Sequence, residues 1–180
     1  MIENNKKIVE ECIISKNIIH IEREDIDYHV LEAIPIDINS KFLLFQYIYD
    51  FYFDGFKLIC LDDITSIERG EIEKFHDKVV KEEEKTINAE EVSNINIKDW
   101  KSFFQSIFEI GKMIDISLEW KEKGRAFFVG KVVSVSESSL ELLEVYPEGT
   151  WYKETTSISY EDITMVSFNS NFCNMLGKYC

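Results

Sequence analysis

The stretch Asp62-Asp63-Ile64-Thr65-Ser66-Ile67 returns 99 positions later as Glu161-Asp162-Ile163-Thr164-Met165-Val166. An acidic pair, the tripeptide Asp-Ile-Thr and an alternating apolar residue recur in the same order. Read backwards at that fixed offset, Leu43-Leu44 falls on Leu142-Leu143, Tyr47 on Tyr146, Ile59 on Ile158 and Ile34 on Val133. A shift of two residues beyond the motif then brings Phe75 onto Phe172 and Val79 onto Leu176. Internal self-similarity of this kind marks a duplicated unit. The spacing therefore predicts two copies of one fold within the 180 residues.

Hydrophobic periodicity divides the chain the same way. Over Lys6–Ser15 the apolar residues Ile8, Val9, Cys12 and Ile13 share one helical stripe. In the second half Trp100, Phe103, Phe104, Ile107 and Phe108 recur at spacings of three and four, with Asn96 as the expected N-cap and Gly111 as the expected left-handed stop. Short alternating segments follow each helix. Ile19-His20-Ile21 leads into a polar run from Glu22 to Asp27, and Ile114–Leu118 leads into a turn around Lys121-Glu122-Lys123-Gly124. Further strands are expected at Phe127–Val135, Ser139–Tyr146, Trp151–Tyr160 and Ile163–Phe168. Such close spacing favours an antiparallel meander over a βαβ sheet. The expected class is β-rich α+β, with a helix plus bent sheet over 1–68 and again over 96–180. Residues 69–95 read as a connection. Within it, Ile72, Phe75 and Val79 suggest a helix packing back on the first sheet, and the charged Lys81–Lys85 and polar Asn88–Asn94 read as linker.

This order of elements resembles the Sm-like small barrel, on two patterns. One is the strand opening Ser139-Leu140-Glu141-Leu142-Leu143, and the other is the acidic turn plus Asp-Ile-Thr before each final strand. The chain also looks like tandem proteins of this type in bacteria, and a generic SH3-like barrel is the nearest alternative. The resemblance implies RNA binding. However, the turns at the corresponding places are Asp37-Ile38-Asn39-Ser40 and Ser136-Glu137-Ser138-Ser139. The loops before the last strands carry Asp62-Asp63 and Glu161-Asp162, acids where phosphate contacts would be required.

Charge points away from nucleic acid as well. The chain has 34 acids against 20 bases, a net charge of −14. Its arginines are Arg23, Arg69 and Arg125. Phosphate neutralisation supplies much of nucleic-acid affinity, so a basic protein is the better expected partner. The start lacks an apolar leader run and no stretch approaches the roughly twenty apolar residues of a membrane span, so the expected location is cytoplasmic. The cysteines Cys12, Cys60, Cys173 and Cys180 form no Cys-x-x-Cys pair and read as reduced thiols.

The most unusual stretch is Tyr47-Ile48-Tyr49-Asp50-Phe51-Tyr52-Phe53-Asp54-Gly55-Phe56. Successive strand residues face opposite sides, so not all these rings can enter one core. Tyr49, Phe51, Tyr52 and Phe53, with Trp151 of the second half, are the candidate contact residues for a protein partner. His20, Glu22 and His29 offer a conceivable metal set, but their spacing matches no ligand motif and no metal or cofactor is expected from it. There is no Gly-x-Ser-x-Gly, phosphate loop or His-Glu-x-x-His. The leading expectation is a non-enzymatic binding protein, in one form an immunity or antitoxin-like protein against a basic effector. RNA binding is the first alternative and a metal-dependent hydrolase using His20 and His29 the second. Self-association through sheet edges is compatible with all three.

Overall fold

The computed structural model describes residues 3–87, 89–120 and 124–180. Met1, Ile2, Asn88 in the expected linker and the Lys121–Lys123 part of the expected turn lie outside the described residues. The chain divides into two compact units, Met1–Ala89 and Glu90–Cys180. The division falls inside the stretch read as a connection, and the helix of that stretch belongs to the first unit.

The first unit runs α1 (Glu3–Ser15), β1 (Ile19–Arg23), β2 (Asp27–Ile38), β3 (Phe42–Tyr49), β4 (Tyr52–Cys60), a 3₁₀ turn (Leu61–Asp63), β5 (Ser66–Glu68) and α2 (Glu71–Glu82). Its strands lie in the order β5-β1-β2-β3-β4, every neighbour antiparallel. The second unit runs α3 (Trp100–Ile110), β6 (Met113–Leu118), β7 (Ala126–Val135), β8 (Ser139–Glu144), β9 (Thr156–Ser159), a 3₁₀ turn (Tyr160–Asp162), β10 (Met165–Phe168) and α4 (Asn171–Tyr179). Its order is β10-β6-β7-β8-β9, again antiparallel and not closed into a ring. The class is β-rich α+β.

Matching hydrogen bonds align the units residue by residue and correct the single offset. Asn39 Oδ1 accepts from the amides of Lys41 and Phe42 in the β2–β3 turn, where Ser136 Oγ accepts from Ser138 and Ser139. The Leu61 amide bonds the Lys41 carbonyl as the Tyr160 amide bonds that of Ser138. Thr65 and Thr164 donate their amides to the carbonyls of Glu22 and Ser117, and their hydroxyls accept from the amides of Glu24 and Glu119. Only the last two strands keep the 99-residue offset. Leu43 pairs with Ile59 while Leu140, not Leu142, pairs with Ile158. The β6–β7 and β8–β9 connections of the second unit are longer than the β1–β2 and β3–β4 connections of the first, which a gapless reading cannot accommodate.

Both second strands carry a register shift, between Pro35 and Asp37 and between Val132 and Ser134, which bends them. Gly130 sits just before the second bend, where a Cβ would come within 2.1 Å of the Leu143 carbonyl oxygen, so no side chain fits.

Helix α3 buries Trp100, Phe103, Phe104 and Ile107 as its periodicity requires, and Gly111 ends it at φ 64°. Its N-cap is Asp99, whose carboxylate accepts from the Ser102 amide, rather than Asn96. Asn96 instead caps the preceding turn at the Lys98 amide. Phe108 lies on the outer edge of the stripe and is exposed. Helix α2 departs further from expectation. Ile72 and Phe75 face solvent, while Glu73, Asp77 and Val80 are buried. Trp151 makes an isolated bridge to Val145, and regular pairing of the expected Trp151–Tyr160 strand begins only at Thr156.

Candidate functional site

Two groups of side chains in the first unit stand apart from ordinary core packing. The first is the β3–β4 hairpin tip. Tyr49 and Tyr52 are directly opposed, and Asp50 and Phe51 form the two-residue turn with φ values of 46° and 66°. Turns of this hand normally take Asn or Gly at such positions, and a bulky ring at φ above zero is disfavoured. Phe51 packs there against α2 and the segment that follows it. Its ring meets the His76 ring edge-on at 4.7 Å, and its carbonyl accepts from Lys85 Nζ at 2.6 Å. The same ammonium lies 4.6 Å from the centre of the Tyr52 ring.

The five aromatic candidates thus separate. Tyr49 and Tyr52 are 61% and 70% exposed. Phe51 is half-buried against His76. Phe53 packs on the cluster of Ile18, Ile34, Ile48 and Val80, which lies between sheet and α2. Trp151 packs on Met113, Val145 and Cys173, its indole donating to the Cys180 carbonyl at 3.3 Å. Strand β2, the neighbour of β3, adds exposed Tyr28 and Val30. The hairpin is acidic too. Burial pushes the Tyr47 phenol up from its ordinary value, and the charges of Asp54, Tyr49 and Asp50 push it the same way.

The second group lies where α2 meets β1 and β2. The register sets His20 between Glu32 and Glu68 on the flanking strands. His20 Nδ1 stands 2.6 Å from Glu73 Oε1, and its Nε2 stands 4.0 Å from Glu32 Oε2. The other Glu32 oxygen is 2.8 Å from His76 Nδ1. One donor atom each from His20, Glu32 and His76 falls within 4.8 Å of the other two. The side chains of both histidines are only 20% exposed, and that of Glu73 4%. Burial alone would raise the Glu73 carboxyl. The backbone amides of Gly70 and Glu73, helped by His20 and His76, outweigh it and leave the group below its ordinary value.

This constellation replaces the set read from sequence. His20 belongs to it, but Glu22 accepts from the Ser66 hydroxyl, and His29, its side chain 88% exposed, pairs with Asp27 at 3.1 Å. Glu32, His76 and Glu73 come from distant positions. Their one legible sign was the polar face of α2, a histidine and two acids at a spacing of three and four (Glu73, His76, Asp77) where an apolar stripe was expected. Asp77 completes that face, accepting from the Ile18 amide at 2.7 Å and pairing with Arg69 at 2.6 Å, while Arg69 Nη1 donates to the Ile18 carbonyl.

Comparison with protein-family models, with curated proteins and with solved structures finds no match to this chain. No helix among the described residues is long and apolar enough to cross a membrane.

Proposed function

We propose that the chain is a non-enzymatic cytoplasmic binding protein made of two tandem Sm-like small barrels, and that it docks a basic protein through the β3–β4 hairpin of the first. The observation that carries this reading is the opposed pair Tyr49 and Tyr52, both mostly exposed at a turn whose backbone is held in a disfavoured conformation. Rigid tyrosines held clear of a core cost little entropy to bind and dominate many interfaces. The repeated order of helix, five strands and second helix, with a 3₁₀ turn before each last strand, supports the tandem small-barrel part. A net charge of −14 favours a basic partner and speeds its approach, as an immunity or antitoxin-like protein would require.

The arginines weigh against RNA. Arg23 is 1% exposed and Arg69 is committed to Asp77, so two of the three are turned to structural use. The test is a pull-down of the tagged chain from native lysate at low salt, followed by binding of the identified partner in purified form. A stoichiometric basic protein should be recovered and lost as salt rises. Tyr49→Ala and Tyr52→Ala should each weaken it roughly 5- to 30-fold, the usual cost of truncating an interface tyrosine. Recovery of nucleic acid instead, or unchanged affinity in the double variant, would refute the proposal.

A further inference from the structure

We propose that His20, Glu32 and His76 bind one divalent transition cation of the zinc class, with Glu73 holding His20 in the ligating tautomer. The site is independent of the partner-docking reading and rests on four observations.

The first is the donor set. Two imidazoles and one carboxylate suit zinc and its neighbours, and three protein ligands with one position left for water or another group is a common arrangement for that ion. The second is the division of labour at each group. The Glu73 carboxylate oxygen lies 2.6 Å from His20 Nδ1, a hydrogen-bond distance at which that nitrogen is the donor. The Nε2 lone pair is then left facing Glu32. A carboxylate behind a histidine is the usual outer support of a ligating imidazole. Glu32 offers one oxygen toward each histidine, at 4.0 Å and 2.8 Å.

Third, the donors are spaced for closure. Ligand atoms in a tetrahedral shell with bonds of about 2.0–2.1 Å stand roughly 3.3 Å apart. Donors already within 4.8 Å of one another need to close by only about 1.5 Å to reach that. The Phe51 ring packs edge-on against that of His76 at 4.7 Å, and the side chains of both histidines are only 20% exposed. Fourth, the second unit uses the same place differently. There Asp115 is opposed by Val129 and Ser167, and α4 brings Cys173, whose Sγ lies 3.5 Å from the Asp115 carboxylate. The proposal therefore requires one ion per chain, not two. Because the ligands come from β1, β2 and α2, the ion would fasten α2 to the sheet.

The experiment uses the full chain, stripped with chelator and titrated with zinc alone and with cobalt(II) alone. One equivalent should bind and raise the melting temperature, and cobalt should give visible bands without the strong near-ultraviolet thiolate band. His20→Asn and His76→Asn should abolish binding, and His29→Asn should leave it intact. Glu73→Gln should weaken it about 10- to 100-fold, as loss of an outer support does. Folding of each variant is checked by circular dichroism in chelator, and Glu32→Gln takes over if a histidine variant does not fold. Imidazole nitrogen resonances of the unmodified chain should move on zinc addition for His20 and His76 and stay fixed for His29. No binding, two equivalents, binding that survives in His20→Asn or His76→Asn, or binding removed by thiol alkylation would overturn the proposal.

Discussion

Replacing Thr164 by valine removes one hydroxyl from the Asp-Ile-Thr motif of the second unit without changing its shape. Thr164 is fully buried. Its hydroxyl lies 2.9 Å from the Ser117 carbonyl and 2.7 Å from the Glu119 carboxylate, and accepts from the Glu119 amide at 3.2 Å. The Ser117 carbonyl keeps its bond from the Thr164 amide, so the loss falls on Glu119. A neutral hydrogen bond contributes about 0.5–1.5 kcal/mol and one to a charged group about 1.5–3, so with Glu119 partly rehydrated the expected cost is about 2 kcal/mol. Thr65 makes the corresponding bond to the Glu24 amide at 3.2 Å, but both residues are exposed. Water can replace that bond, and Thr65→Val should cost less than about 0.5 kcal/mol.

The three tryptophans, Trp100, Trp120 and Trp151, all belong to the second unit, so their fluorescence is a local probe of that unit. With a urea slope of about 1–1.5 kcal/mol/M, Thr164→Val should lower the fluorescence midpoint by about 1.5 M. Thr65→Val, followed by hydrogen exchange of β1 and β5, should barely move. A Thr164→Val shift below about 0.4 M, equivalent to roughly 0.5 kcal/mol, would refute the reasoning. So would a Thr65→Val cost of similar size, since burial would then not be what separates the two motifs.

Three further outcomes follow from the first unit and the thiols. Asp77→Ala leaves the Ile18 amide and Arg69 without their carboxylate and should destabilise the first unit by about 2–4 kcal/mol. Asp77→Asn, which keeps an acceptor for the amide, should cost visibly less; hydrogen exchange at Ile18 and along α2 reads both. Glu73 is held below its ordinary value, so its stabilisation is complete above the unfolded carboxyl pKa and fades as pH falls through the lower folded value. Glu73→Gln should therefore flatten the acid limb of an α2 exchange-protection profile and leave its neutral region parallel to the parent. Among the cysteines, Cys180 is exposed, whereas burial first and then Asp63 push the Cys60 thiol up to about 12. Alkylation near pH 8 followed by mass spectrometry should label Cys180 quickly and leave Cys60, Cys12 and Cys173 slow.

Much of the frame was legible because it depends on local pattern. The α3 stripe, the Gly111 stop and the close spacing of strands are set by residues three, four or two apart, and the structure has them. The Asp-Ile-Thr recurrence was legible for a deeper reason, since its threonine makes the same hydrogen bonds from the last strand to the end of the first in both units. The exact alignment was not, because loops lengthen without disturbing those bonds. Helix α2 misled for a related reason. Three apolar residues at helical spacing promised an apolar face, yet Asp77 satisfying the Ile18 amide and Glu73 holding His20 decided which side turned inward. Polar contacts between residues more than fifty positions apart leave no periodicity to read.

The two units show why that misreading falls on the site itself. Each closes with a helix packed on its first strand, but the second unit fills the place with Met113, Val145, Cys173 and half-buried Trp151 and Leu176. That packing is mainly apolar and adaptable, with Asp115 as its one buried carboxylate, 3.5 Å from Cys173 Sγ. The first unit puts two histidines and two carboxylates there, an arrangement that costs desolvation and gives less stability than apolar residues of equal volume would. One scaffold carrying both solutions means the fold does not demand the histidine cluster. A cluster that the scaffold can do without, held half-buried with each histidine paired to a carboxylate, is where a requirement other than folding has shaped the sequence. The Phe51 turn presses on the same His76. The hairpin turn that carries the exposed tyrosines and the histidine cluster therefore share one packing contact.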